Sequence, residues 1–329
     1  MYIPQILFQG RLPVLLQIGI YGYGNLGQAA ARAVQAQPDM TPAAVFTRRS
    51  PSQVSSPFPV FAARELPAWA GRLDVILLCV GSVTDAPLLA PEIAGRFHLV
   101  DAYDVHSGMR AHFARVNSAA RAGNRTALLC AGWDPGLFSL FRLLGRAFLP
   151  RGGECTFWGP GVSQGHSQAV RQLPGVLDAR VYTLPDPEAL ARARRGEAYP
   201  LSPEKAHRRL CFVLAKPDAP RETIARSIAG MEGYFAGTPT QVRFLSPEAF
   251  AAHREKLHHG GSVLRSQAGQ RMELKLTLSS NPAFTGAVLA ACARAAVAAA
   301  RRGRFGALSL LDVPPRDLLP PDADVFPFL

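Results

Sequence analysis

The stretch Val14-Leu15-Leu16-Gln17-Ile18-Gly19-Ile20-Tyr21-Gly22-Tyr23-Gly24-Asn25-Leu26-Gly27 joins an apolar run to a glycine turn, and a helical pattern over Leu26–Ala36 follows it. An apolar strand that turns on glycines straight into a helix is the setting in which G-x-G-x-x-G signifies dinucleotide binding. Each glycine has a separate task. Gly22 makes the tight turn, Gly24 lets the backbone approach a pyrophosphate, and Gly27 lets helix and strand pack closely. Tyr23, Asn25 and Leu26 lie between them, and the N–H groups at the start of the helix face the negative charge. The apolar run is not a signal-peptide core, because it enters the glycine turn with no cleavage site.

Working outward, short apolar runs alternate with helical patterns for about 130 residues, the grammar of a parallel sheet covered by helices. The expected strands are Val14–Ile20, Ala43–Thr47, Val75–Val80, Leu99–Ala102 and Ala127–Ala131, with a further helix at Met109–Ala122. Beyond Gly132 the pattern changes to α+β. Strands are expected at Arg180–Leu184, Arg209–Leu214, Gln241–Leu245 and Arg271–Leu278, with helices near Pro187–Arg195 and Glu222–Met231. The fold class is therefore α/β: a Rossmann-type parallel sheet with a second α+β domain, on an antiparallel or mixed sheet, for substrate binding and dimerisation. The domains are expected at 1–132, completed by the C-terminal segment 303–329, and at 133–302. Met1–Leu12 reads as an extension without pattern, and Pro314–Pro327 as an extended surface segment.

The chain has 329 residues, 48% of them hydrophobic, enough for two domains with real cores. Its 36 Lys+Arg against 24 Asp+Glu give a net charge of +12, and all but four of the cations are arginine. The arginines are scattered rather than gathered into a stripe or tail, which argues against nucleic-acid binding. With abundant Ala and Pro, they resemble the drift of a GC-rich genome. Anionic ligands account for part of the excess, and solvated surface for the rest. The Ala-rich stretch Ala287–Ala300 is interrupted by Arg294, so no membrane span is expected. Five separate cysteines form no CxxC pair and no zinc spacing, so neither a metal nor thiol chemistry is proposed, and a reduced cytoplasm fits.

About 20 residues after the last fingerprint glycine, an NAD site places an acid for the ribose hydroxyls. Here the residues are Thr47-Arg48-Arg49. A hydroxyl and two guanidinium groups suit a 2′-phosphate, which a carboxylate repels, so the cofactor is read as NADP. The third strand ends in Gly81-Ser82-Val83-Thr84-Asp85 and the fifth in Gly132-Trp133-Asp134-Pro135-Gly136, both at the carboxyl edge where open α/β sheets bind ligands. Close together, Asp85 and Asp134 could hold an ammonium group, and their like charges would raise one apparent pKa so that it takes a proton. Singly, each also reads as a helix N-cap.

The order of these motifs, continued by Phe157-Trp158-Gly159-Pro160-Gly161-Val162-Ser163-Gln164-Gly165-His166-Ser167 and Tyr182-Thr183-Leu184-Pro185, closely resembles the meso-diaminopimelate dehydrogenases. The resemblance runs from the first strand to the helix after Asn281. It implies NADP-dependent oxidative deamination at the D-centre of meso-2,6-diaminopimelate, to L-2-amino-6-oxopimelate and ammonia, in lysine biosynthesis. It also implies a homodimer. On matching positions Asp85, Trp133 and Asp134 would surround the D-centre, with Trp158 helping there. Thr183, Arg209, His259 and Asn281 would hold the distal L-centre. Alternation along the strand leaves open whether Arg208 or Arg209 points inward. The segment Gly261–Asn281 is shorter than the family's usual stretch, which bears on how His259 and Asn281 are placed. The rival readings are a D-amino acid dehydrogenase of broader specificity and a non-catalytic nucleotide-binding protein.

Overall fold

In the computed structural model, residues 15–197, 201–253 and 259–329 are described. The expected extension Met1–Leu12, and Val14 at the head of the first strand, lie outside them. The chain divides into two compact units, Met1–Ser139 with Pro282–Leu329, and Leu140–Asn281.

The first unit contains β1 (Leu16–Tyr21), α1 (Asn25–Gln35), β2 (Met40–Thr47), β3 (Val60–Ala62), β4 (Val75–Leu78), α2 (Ala86–Ala94), β5 (Leu99–Asp101), α3 (Met109–Ala122) and β6 (Thr126–Leu128). Helix α4 (Leu137–Phe148) begins in the first unit and ends in the second. The second unit continues with β7 (Gly153–Trp158), β8 (Gly161–Val162), α5 (Gln164–Arg171), β9 (Val176–Pro185), α6 (Pro187–Arg194), α7 (Pro203–Ala206) and β10 (His207–Ala215). After these come α8 (Arg221–Ala229), β11 (Thr240–Phe244), α9 (Pro247–Ala252), β12 (His259–Gln267) and β13 (Gln270–Leu278). Helix α10 (Asn281–Arg301) and β14 (Gly306–Leu308) return to the first unit.

Seven parallel strands form the first unit's sheet in the order β14-β6-β5-β4-β1-β2-β3. Strand order reverses between β1 and β4, the switch point at which doubly wound sheets open a crevice. All four residues of β4 are buried, as a strand covered on both faces requires. The C-terminal segment supplies β14 beside β6. Beyond it, Arg316 donates to the carbonyls of Pro320, Pro321 and Ala323, so this part of the tail is folded onto itself rather than extended.

The expected boundary of the second domain at residue 302 differs from the observed one, and the difference is α10. Its Gly286 lies so close to α1 that an added Cβ would stand 2.7 Å from the Ala30 nitrogen. Its Arg294 is buried and bonds the Asp39 carboxylate at 2.6 Å through both Nε and Nη2. By length and composition α10 could cross a membrane, with a mean hydropathy of 1.7, but small residues pack it into the first unit instead.

The second unit holds two sheets, β11-β10-β9-β8 and β13-β12-β7. Strand β10 is antiparallel to β9 and parallel to β11, which makes the first sheet mixed, while the second is antiparallel. Val181, Cys211, Ile224, Ile228 and Phe235 form a core between the mixed sheet and its helices. Strand β12 was not expected from the sequence. Six consecutive buried residues, two glycines and a buried Arg265 erase the alternation by which a half-buried strand is recognised.

Candidate active site

Gly22 has φ +91° and ends β1, a conformation that suits glycine. An added Cβ at Gly27 would stand 2.0 Å from the Gly22 carbonyl oxygen, so turn and helix close on each other only with glycine there. At Gly24 an added Cβ would meet nothing within 4 Å, because this side faces outward. Gly24 is the N-cap of α1, and neither a capping side chain nor an acid in the first turn competes for the helix N–H groups. Such a terminus fits a pyrophosphate.

Thr47 is buried at the end of β2, and its Oγ1 accepts the Arg49 N–H at 3.1 Å. Arg49 in turn donates to the Tyr23 carbonyl at 3.1 Å, which ties the arginine pair to the glycine turn. Arg48 makes a two-pronged ion pair with Asp85, at 2.7 and 2.6 Å. Asp85 follows Gly81 and Ser82 in the turn after β4, and its N–H bonds the Gly81 carbonyl at 3.2 Å. The hydrogen bond from Arg48 holds the Asp85 carboxyl below the usual range. Asp85 is the N-cap residue of α2 by position, as read from the sequence, but its carboxylate makes no capping bond. Its pKa moves down toward a cationic partner, so it is not the member of the Asp85 and Asp134 pair whose pKa is raised.

Strands β5 and β6 are neighbours, and each delivers an acid to the carboxyl edge. Trp133 and Asp134, both half-buried, follow β6 in a loop closed by Gly136, whose φ is +123° and whose added Cβ would stand 2.0 Å from the Gly132 oxygen. Trp133 packs edge-on against Phe138 at 5.2 Å. Helix α4 starts only at Leu137, so Asp134 is not its N-cap. Asp104, three residues past β5, was not singled out in the sequence, although an acid just after an apolar strand was the same signal that marked Asp134. Its exposed carboxylate helps to raise the pKa of both Tyr103 and Cys130, which places it beside the end of β6. Buried Asp101 holds this loop by accepting the Tyr103 and Cys130 N–H groups and bonding His112 Nε2 at 2.6 Å.

The second unit carries the remaining predicted residues. The run Gly159-Pro160-Gly161 bends the chain tightly, because Gly159 (φ +98°) lies where a Cβ would stand 2.1 Å from the Thr183 oxygen and one on Gly161 would stand 3.0 Å from His259 Nδ1. Trp158, Thr183 and His259 are brought together by this bend. Trp158 stacks on His207 at 5.3 Å and donates its backbone N–H to that ring at 2.8 Å. Thr183 and Arg209 are register partners on β9 and β10, and an Arg209 Nη1 bonds the Thr183 hydroxyl. Arg208 faces outward, 3.6 Å from Asp186, so alternation turns Arg209 inward. The hairpin of β12 and β13 pairs His259 with Leu278, leaving Asn281 three residues beyond that pair. Its two-residue turn, Ala268 and Gly269, has positive φ at both positions, which accounts for a short Gly261–Asn281 segment.

Arg209 is largely buried, and burial pushes its pKa down to about 10. Its Nε has no hydrogen-bond partner, and among the described residues no carboxylate lies within ion-pair distance of it. His166 stands nearby as a neutral ring, accepting from the Ser163 hydroxyl at 2.7 Å and donating to the Tyr234 carbonyl at 2.9 Å. Burial, with the Arg209 charge adding to it, pushes this ring down to about 4. Burial also lowers His259. The cysteines are all buried, with Cys79, Cys211 and Cys292 pushed up to about 12, which removes them as nucleophiles at neutral pH.

Residues 132–280 match the model of the diaminopimelic acid dehydrogenase C-terminal domain. The chain is 40% identical over 322 residues to the meso-diaminopimelate D-dehydrogenase of Acetivibrio thermocellus, covering 94% of this chain and 96% of that protein. It superposes on the Corynebacterium glutamicum DAP dehydrogenase in complex with DAP with a TM-score of 0.88 and 39% identity, covering 94% of this chain and 97% of the other. An engineered D-amino acid dehydrogenase bound to NADP+ gives a TM-score of 0.83 and 38% identity, with the same coverages. On this similarity along nearly its whole length, the chain belongs to the meso-diaminopimelate D-dehydrogenase family.

Proposed function

We propose that the protein is an NADP-dependent dehydrogenase that oxidatively deaminates meso-2,6-diaminopimelate at its D-centre, giving L-2-amino-6-oxopimelate and ammonia. The observation that carries this reading is Arg209, a half-buried cation whose Nε is buried and unpartnered and which has no carboxylate of its own among the described residues. A buried guanidinium without a counter-charge is costly, and a substrate carboxylate would supply one. Thr183, His259 and Asn281 add donors and acceptors for the same distal amino-acid end.

Gly22, Gly24, Gly27 and the first turn of α1 hold the pyrophosphate, and Thr47, Arg48 and Arg49 the 2′-phosphate. Gly81 and Ser82 border the cofactor on the other side of β1. Bound NADP+ supplies the hydride acceptor. Asp134, with Trp133 and Trp158, receives the reacting end, and its carboxylate takes the proton that the ammonium group must lose before oxidation. We assign Asp104 to this pair in place of Asp85, whose carboxylate is held by Arg48. Water then completes the deamination by displacing ammonia. The reverse direction is reductive amination.

The protein is also proposed to act in the cytoplasm as a homodimer, as the family resemblance implies. Purified protein with NADP+ is expected to generate NADPH absorbance with the meso isomer and little with the L,L isomer. No signal with the meso isomer across neutral to basic pH would remove the dehydrogenase assignment. Comparable rates with D-lysine or D-alanine would move it to the broader D-amino acid class. Light scattering on the eluting protein checks the dimer.

A further inference from the structure

We propose that the first unit binds a small organic anion at the amino edge of its sheet, the edge opposite the glycine turn. The shared ligand chemistry is an apolar body carrying either a phosphate or two carboxylates. A cavity of about 530 Å³ opens there. Four adjacent strands, β4, β5, β6 and β14, each contribute the residue just before they begin: Asp74, His98, Arg125 and Phe305. The cofactor residues follow the other ends of β1, β2 and β4, so the two sites lie on opposite edges of one parallel sheet.

The lining is amphipathic. Leu73, Phe97, Val297, Ala300 and Phe305 give an apolar wall, and Arg96, Arg125 and Arg301 bring three guanidinium groups. Among the described residues none of the three forms an ion pair. Arg125 is oriented by its Nε bond to the Arg96 carbonyl at 2.8 Å. The acid in the lining, Asp74, accepts the Gln17 N–H at 2.7 Å and, among the described residues, pairs with none of the three. His98 Nδ1 accepts the Thr126 N–H at 2.9 Å, so the neutral ring carries its proton on Nε2 and presents a donor. Three cations against one acid leave the cavity with a positive excess. An apolar wall beside that excess selects an organic anion over free phosphate. Arginine forks recognise phosphate and carboxylate alike, which leaves the choice between those head groups to experiment.

The test is titration calorimetry on the full-length protein saturated with NADP+, so that the cofactor site is filled, using phenyl phosphate and, separately, phthalate. One-to-one binding of at least one probe is expected, and the stronger probe identifies the head group. The double variant Arg96→Ala/Arg301→Ala removes two exposed side chains that make no hydrogen bond or ion pair among the described residues, so folding and NADP+ binding should be retained. It should weaken the probe by about tenfold or more. Ala300→Phe, which narrows the apolar wall, should weaken it independently. Absence of heat with both probes at millimolar concentration, or equal binding by wild type and both variants, overturns the proposal.

Discussion

Arg209 shows what a single residue can and cannot disclose before a fold is known. Its identity and the nearby Thr-Leu-Pro motif were legible, but Arg208 stood beside it with equal credentials. Only the register of β10 against β9, with Arg209 opposite Thr183, distinguishes the two. Replacing Arg209 by Met is expected to lower kcat/KM for meso-diaminopimelate by about a hundredfold, mainly through KM, since a charged buried hydrogen bond is lost. NADP+ affinity should stay within about twofold. An equal loss in both, measured by steady-state kinetics and cofactor titration, would refute the distal role. Asp85 teaches the opposite lesson. Its position after a strand suggested chemistry, yet spatial proximity to Arg48, 37 residues away, gives its carboxylate a partner that local sequence does not disclose. Asp85→Asn should free Arg48 for the 2′-phosphate and tighten NADP+ binding. An exposed ion pair contributes at most about 1 kcal/mol, so the gain is capped near fivefold. Weaker binding in a fluorescence titration would instead mean that Asp85 positions Arg48 for the cofactor.

At the scale of elements, five of the seven strands of the parallel sheet and the helix Met109–Ala122 could be read directly, because buried apolar runs and 3.6-residue spacing leave clear marks, whereas the three-residue edge strands β3 and β14 are too short to show a pattern. The hairpin strand β12 and the allegiance of α10 could not. Glycine and a buried arginine hide the first. The second depends on small residues, since a helix of alanines has no strong face and its neighbour is chosen by how closely backbones can approach. Gly286 is a point of close approach to α1, at Ala29 and Ala30. Gly286→Val should cost about 1–3 kcal/mol by forcing these backbones apart. Because α1 carries Gly27 and is capped by Gly24, the same change should weaken NADP+ binding, whereas the probe anion at the opposite edge should be less affected. Thermal melts with and without NADP+ measure both effects. An unchanged melting temperature would mean that α10 has room to shift.

Across the whole molecule, the excess of +12 acquires a more specific meaning than genome drift or anion binding alone. Many arginines donate to backbone carbonyls: Arg49 to Tyr23, Arg125 to Arg96, Arg265 to Leu149 and Pro150, Arg304 to Asp312, and Arg316 to three residues of the tail. A guanidinium bond to a carbonyl needs no acidic partner, although Arg265 also reaches Glu154 at 3.4 Å, so a chain can accumulate positive charge while many of its cations still have a structural task. Composition cannot reveal that use, because the acceptors are backbone atoms present in every sequence. Arg294 combines both kinds of partner. It pairs with buried Asp39 and donates to the Leu318 carbonyl, joining α10, the loop before β2 and the C-terminal segment within the first unit. Arg294→Met should leave the Asp39 charge buried and uncompensated and cost about 3–5 kcal/mol, measured by chemical denaturation. Adding Asp39→Leu removes that stranded charge and should restore most of the loss, leaving the deficit from the Leu318 carbonyl and the Gln37 side-chain oxygen that Arg294 also bonds. If the double variant is as unstable as the single one, the stabilisation resides in anchoring the C-terminal segment rather than in the ion pair.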